Sequence, residues 1–134
     1  MSTKIFVNLP VKDLGKSVDF FTQLGFSFNP QLTDDKATGM IVSDDAFVML
    51  LVEDFFTTFT TKDVCDAATH TEAILCLSAE SRSGVDELVD KALHAGGQPS
   101  NFTMDEGPMY GRSFQDLDGH LWEIMYMDPS NLKQ

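Results

Sequence analysis

Glu123 is the residue best placed to do chemistry. It is the one charged side chain in the apolar run Leu121 to Met127. If that run is a strand, Leu121, Glu123 and Met125 share a face. A carboxylate on an apolar face is desolvated, so its pKa is expected to rise. Such a group can act as a general acid or base, or anchor a cation. The alternative is a carboxylate satisfied by Arg112 or by a backbone amide. Trp122 then points the other way and packs between sheet and helix. Cys76 lies in a second apolar run, Ala73 to Ala79. No histidine is evidently placed to activate it, so a buried, inert thiol is expected. His70 and Glu72 are two residues apart and would share a face of a strand, as a metal pair must. His120 is an odd number of residues from Glu123, so a regular strand would point the two to opposite faces. All three histidines are expected to be exposed or hydrogen-bonded without a metal. His94 sits where a helix C-terminus favours it.

Composition limits what these residues can serve. The 134-residue chain suits one compact domain, or two half-size modules sharing a core. Its apolar fraction of 43% supports a true core. The formal net charge of −12 repels phosphate backbones and anionic lipid, so neither nucleic acid nor membrane is an expected partner. The start, Met-Ser-Thr-Lys, lacks the apolar stretch of a signal peptide. Cys65 and Cys76 lie in unlike contexts and read as reduced thiols, which points to the cytoplasm.

The elements that must position these residues occur twice. Ile5 to Val11 reads as a strand buried on both faces, with Pro10 at an end or an edge. Asp13 is a helix N-cap, and Leu14, Val18, Phe21 and Leu24 recur as one helical face. Gly25 stops the helix. A strand around Phe26 and Phe28 ends at Asn29-Pro30. Met40 to Val42 and Ala46 to Val52 form a turn-linked pair. In the second half Ala73 to Ala79 is a strand, and Ser81 or Ser83 caps a helix. Val85, Leu88, Val89, Ala92 and Leu93 form its buried face, and Gly96-Gly97 ends it. Asn101 to Met104 is a short strand, followed by a loop through Asp105 and Pro108. Tyr110 to Phe114 and Leu121 to Met127 make the last hairpin. The expected domain is 1–134, with modules at 1–55 and 72–134 and a connector at 56–71. Phe55, Phe56 and Phe59, at the junction with the connector, read as a short helix capping one core. A lid or a dimer contact is the sharper alternative.

Two stretches carry a family resemblance. One is Val11-Lys12-Asp13-Leu14-Gly15-Lys16-Ser17-Val18-Asp19-Phe20-Phe21 with Leu24-Gly25-Phe26. The other is Asp116-Leu117-Asp118-Gly119-His120-Leu121-Trp122-Glu123-Ile124. Together they resemble the opening and closing motifs of the vicinal oxygen chelate superfamily, which includes glyoxalase I, bleomycin-resistance proteins and extradiol dioxygenases. The resemblance implies an α+β fold in which paired βαβββ modules form a curved, mixed-sheet cup. It also implies metal ligands on the first and last strands of each module. Those positions fall at Phe6, Met49, Ile74 and Glu123. Only Glu123 has a donor suited to a divalent ion.

Within such a cup, strand parity lines the cavity with Phe6, Asn8, Phe47, Met49, Ile74, Cys76, Leu121, Glu123 and Met125. The lining is apolar and methionine-rich, suited to an aromatic or greasy ligand. The family often places ligand contacts just before the last hairpin. That makes Met109, Tyr110 and Arg112 candidate rim residues, although Tyr110 and Arg112 also read as a surface pair on an edge strand. The expected function is binding of a small apolar or aromatic molecule, without cofactor or metal, by a cytoplasmic homodimer. Glu123 would be its catalytic group, if it has one. The alternative is a metal-dependent lyase resembling lactoylglutathione lyase, or an extradiol dioxygenase, with non-standard ligands.

Overall fold

A computed structural model describes residues 3–128. Met1 and Ser2, where the leader was sought, and residues 129–134 lie outside the described residues. The chain forms two compact units that divide between Val64 and Cys65, inside the stretch read as a connector.

In the first unit, β1 (Ile5–Val11) leads into α1 (Leu14–Gln23), then β2 (Ser27–Asn29), β3 (Ala37–Ser43) and β4 (Ala46–Val52). Their sheet order is β1-β4-β3-β2, with β1 parallel to β4 and the other pairs antiparallel. The helix begins where Asp13, in extended geometry, accepts a 3.0 Å hydrogen bond from the Lys16 amide. Its buried face is Ser17, Phe20, Phe21 and Leu24. Leu14 and Val18 sit half-buried at its margin. Phe20 was absent from the expected stripe. Its ring meets Phe21 edge-on at 4.9 Å, so the two adjacent rings widen the apolar face. Leu9, Val11, Met40, Val48 and Leu50 are buried with them.

The first strand differs from expectation. β1 is an edge strand, and its N-terminal half is open: Ile5 is 58% exposed and Phe6 45%. Pro10 is tolerated there because an edge strand has one side free of pairing. After β4 comes α2 (Glu53–Phe56), followed by a single 3-10 turn over Thr57–Phe59. Phe55 and Phe56 are half-buried, but Phe59 is 68% exposed and touches Phe55 edge-on at 5.0 Å. Phe59 therefore caps no core.

The second unit repeats the plan with β5 (Ile74–Ser78), α3 (Arg82–His94), β6 (Gln98–Glu106), β7 (Met109–Gln115) and β8 (Leu121–Met127). The sheet order is β5-β8-β7-β6, again with the first and last strands parallel. Ser81 is the N-cap, accepting from the Gly84 amide at 2.9 Å. Val85, Val89 and Ala92 are fully buried, while Leu88 and Leu93 are half-buried. β6 is longer than the expected Asn101 to Met104. Asp105 and Glu106 pair with Tyr110 and Met109, which leaves Gly107-Pro108 as a two-residue turn. Gly107 takes φ +61, which a side chain would resist, and so the hairpin can be that tight. A register irregularity between Pro99 and Thr103 lets this edge strand continue past a proline.

Candidate functional site

Register and alternation place the candidate residues other than Tyr110 and Arg112 on one face of each sheet, opposite the helices. In the first sheet Phe6 pairs with Phe47 and Asn8 with Met49. Asn8 is exposed, and Phe47 and Met49 are half-buried. The Phe6 and Phe47 rings stack 4.9 Å apart at an interplanar angle of 11°. Gly39 pairs with Met49, and Leu32 lies directly over it; a Cβ there would come within 2.8 Å of the Leu32 side chain. Leu32 thus covers one end of this face and leaves the Phe6 end open.

In the second sheet Ile74 pairs with Leu121 and Cys76 with Glu123. Across β8, Glu123 pairs with Ser113 and Met125 with Gly111. One row therefore reads Cys76, Glu123, Ser113. Glu123 is half-buried, Cys76 exposed and Ser113 buried. Among the described residues the Glu123 carboxylate makes no hydrogen bond and no ion pair. Met125 folds over Gly111, where only hydrogen leaves room for its sulfur, beside the Phe102 ring. Met109 shares this face and is half-buried. Ser113 was not foreseen. Its hydroxyl donates to the Phe102 carbonyl at 2.9 Å.

Cys76 is exposed rather than buried. Partial desolvation, and after it the Glu123 carboxylate, push its thiol above the ordinary range. A thiol held protonated is a weak nucleophile, so the exposed position does not make it reactive.

Tyr110 and Arg112 lie on the opposite, helix-covered face. The Tyr110 hydroxyl donates to Asp86, and one Arg112 nitrogen donates to Asp86 and Asp90, both at 3.0 Å. β7 lies between β8 and β6, so the pair is not on an edge strand. Arg112 pairs in register with Ile124, so Glu123 has no partner there. The Tyr110 hydrogen bond, followed by the Arg112 one, lowers the Asp86 pKa, and the bond to Asp86 raises that of Tyr110.

Trp122 is fully buried on the same side as α3 and lies parallel to Phe114 with centroids 6.3 Å apart. Its indole N–H donates to the buried Asp116 at 2.9 Å. The other Asp116 oxygen accepts from the amides of Asp118 and His120, each at 3.0 Å. Burial nonetheless drives the Asp116 pKa up, opposed in part by His120 and by those N–H donors. The sequence shows Asp116 as one more turn carboxylate. Only the indole six residues later hinted that it would be enclosed.

The four positions that the fold family uses for metal do not fit a metal here. Phe6 and Ile74 have no donor atom, and Met49 has a thioether that suits soft ions alone. Among the described residues no three His, Cys, Asp or Glu side chains are grouped to hold an ion. His70 and Glu72 lie in the loop before β5, so strand parity does not join them. The His70 Nδ1 is 2.8 Å from the Thr69 hydroxyl.

Comparison with known proteins agrees with this geometry. Residues 3–43 match the family described as bleomycin resistance protein-like N-terminal. A hypothetical protein from S. aureus has a similar structure, with TM-score 0.78, 30% identity, and coverage of 94% of this chain and 95% of that one. A glyoxalase/bleomycin resistance protein/dioxygenase family enzyme from Burkholderia phytofirmans aligns at TM-score 0.76 and 15% identity, over 94% and 99% of the two chains. A glyoxalase-related enzyme from Fulvimarina pelagi aligns at 0.77 and 19%, over 94% and 88%. No curated protein matches the chain. With both βαβββ units in place and residues 3–43 matching the bleomycin resistance protein-like N-terminal model, the chain has the fold of the glyoxalase/bleomycin resistance/dioxygenase proteins of the vicinal oxygen chelate superfamily.

Proposed function

We propose that this protein binds a small apolar or aromatic molecule on its open sheet faces and needs no metal to do so. The observation that carries the reading is the stacked Phe6–Phe47 pair, with Phe6 left 45% exposed. An exposed, pre-stacked ring costs little to order and gains area when a planar ligand covers it. On the first sheet Met49 extends this apolar surface and Asn8 adds an amide; the second sheet's own open face carries Ile74, Cys76, Met109, Leu121 and Met125, with Glu123 as its charged group. Tyr110 and Arg112 are set aside as ligand contacts, because α3 engages them. The donor-poor set at Phe6, Met49 and Ile74 supports binding over metal-assisted lyase or dioxygenase chemistry. No helix of the described residues is long and apolar enough to cross a membrane. Two free, exposed cysteines suit a reducing cytoplasm, and the open apolar faces suit a homodimer.

The test is a thermal-shift and fluorescence screen of planar aromatics against wild type and Phe6→Ala. Loss of one stacking contact should weaken binding about three- to tenfold. Affinity unchanged by Phe6→Ala would overturn the reading. So would stoichiometric metal in untagged protein that is lost in Glu123→Ala, which would favour lyase or dioxygenase activity. Sedimentation at micromolar concentration checks the dimer, and a monomer would refute that part.

A further inference from the structure

We infer that the aromatic turn after β4 docks another protein, through a segment of that partner carrying lysine or arginine next to apolar side chains. Phe59 is 68% exposed, more than any other large apolar side chain described. Its ring meets Phe55 edge-on at 5.0 Å, so the two rings form one aromatic step. The step is held in place by its own threonines. The Thr57 hydroxyl donates to the Asp54 carbonyl at 2.8 Å, and the Thr58 hydroxyl to the Phe55 carbonyl at 2.7 Å. A platform fixed before binding loses little freedom when a partner covers it.

The partner's chemistry follows from what already sits on this step. The Lys36 ammonium lies 5.9 Å from the centre of the Phe55 ring, within reach of a cation–π contact. It arrives there because the Val52 amide donates to the Lys36 carbonyl at 2.9 Å, which brings the start of β3 beside α2. Phe59 offers the same ring chemistry, and no described cation lies over it. Asp35, Glu53, Asp54 and Asp63 are exposed in the same stretches of chain. Among the described residues none of their carboxylates is hydrogen-bonded or ion-paired. A basic side chain reaching Phe59 therefore finds an open ring with unpaired acids near it in the chain. A second copy would bring these acids against their own equivalents, and the net charge of −12 on each chain adds to that repulsion. The same field draws a basic segment in.

The experiment titrates the fluorescein-labelled octapeptide Gly-Lys-Leu-Lys-Lys-Leu-Lys-Gly by fluorescence anisotropy. Two companions replace its leucines with serine or its lysines with glutamate. The proteins are wild type, Phe59→Ser, the pair Glu53→Gln and Asp54→Asn, and the pair Glu72→Gln and Glu80→Gln. The last pair removes equal charge from exposed positions of the second unit. Wild type should bind the basic apolar peptide at least about fivefold tighter than the serine version, and the acidic one weakest. Phe59→Ser should erase that fivefold gap while keeping the wild-type urea midpoint, because the side chain it removes is exposed. The pair at Glu53 and Asp54 should weaken the basic peptide about threefold more than the control pair does. A gap that survives Phe59→Ser overturns the inference. Equal losses in the two charge pairs overturn it too, because bulk charge then suffices, and so does a wild type that does not bind the basic apolar peptide. Self-association of wild type that Phe59→Ser abolishes, seen by sedimentation, overturns it in favour of a second copy as the occupant.

Discussion

Asp116 shows how one residue can oppose the fold electrostatically and still be required by it. Three N–H groups point at its two oxygens, one of them the indole of the fully buried Trp122. Asp116→Ala strands that indole donor. A buried unsatisfied donor costs about 1–3 kcal/mol, so urea unfolding at pH 7 should show a loss of that size. The pH dependence runs the other way. Its pKa is raised in the folded protein, so protonation favours the folded state. That contribution is fully present below the unfolded value of about 4 and disappears as pH rises through the folded pKa. Stability of wild type should therefore decline with rising pH over this window, and the decline should be absent in Asp116→Ala. Equal slopes in the two proteins would contradict the assignment.

At the scale of elements, α3 is tied to its sheet by charge as well as by apolar packing. Tyr110 and Arg112, from the middle of β7, reach Asp86 and Asp90 on the helix. Asp86 has its pKa lowered and Tyr110 has its raised. The stability from this bond is therefore lost as pH falls through the folded Asp86 value, and again as pH rises through that of Tyr110. Removing the hydroxyl in Tyr110→Phe should move the Asp86 carboxyl titration, followed by NMR, back towards the usual range near 4. Because the Asp86 side chain is nearly half exposed and solvent screens it, the accompanying loss of stability should be at most about 1 kcal/mol. The caps behave more simply. Asp13 and Ser81 each satisfy one free amide of a first turn. Replacing either with alanine should cost about 1 kcal/mol, read as a lower urea midpoint with unchanged slope. A change in slope would mean the variant has altered more than the cap.

At the scale of the whole molecule, the chain divides into its two units between Val64 and Cys65. Lys62 lies there, exposed and outside any helix or strand. Limited trypsin digestion should cut first at Lys62 and yield two fragments of about half size, seen by mass spectrometry. A first cut at Lys12 or Lys91 would place the weak point elsewhere. Much of this architecture was legible in the sequence. Periodicity, caps and stop residues are local properties, and so β1, β4 and β8 fall where alternation puts them and both helices start at their caps. Parity likewise set Phe6, Asn8, Phe47 and Met49 on one face and put Trp122 opposite Glu123. The tertiary structure decided whatever depended on neighbours. It made β1 an open edge, extended β6 to Glu106 by pairing it with β7, and turned Tyr110 and Arg112 to α3. It left the Glu123 carboxylate without a hydrogen bond or ion pair among the described residues and enclosed Asp116 under an indole. Spacing along a chain specifies which face a side chain takes. What covers that face, and which charge meets which, follows only once strands distant in sequence are brought side by side.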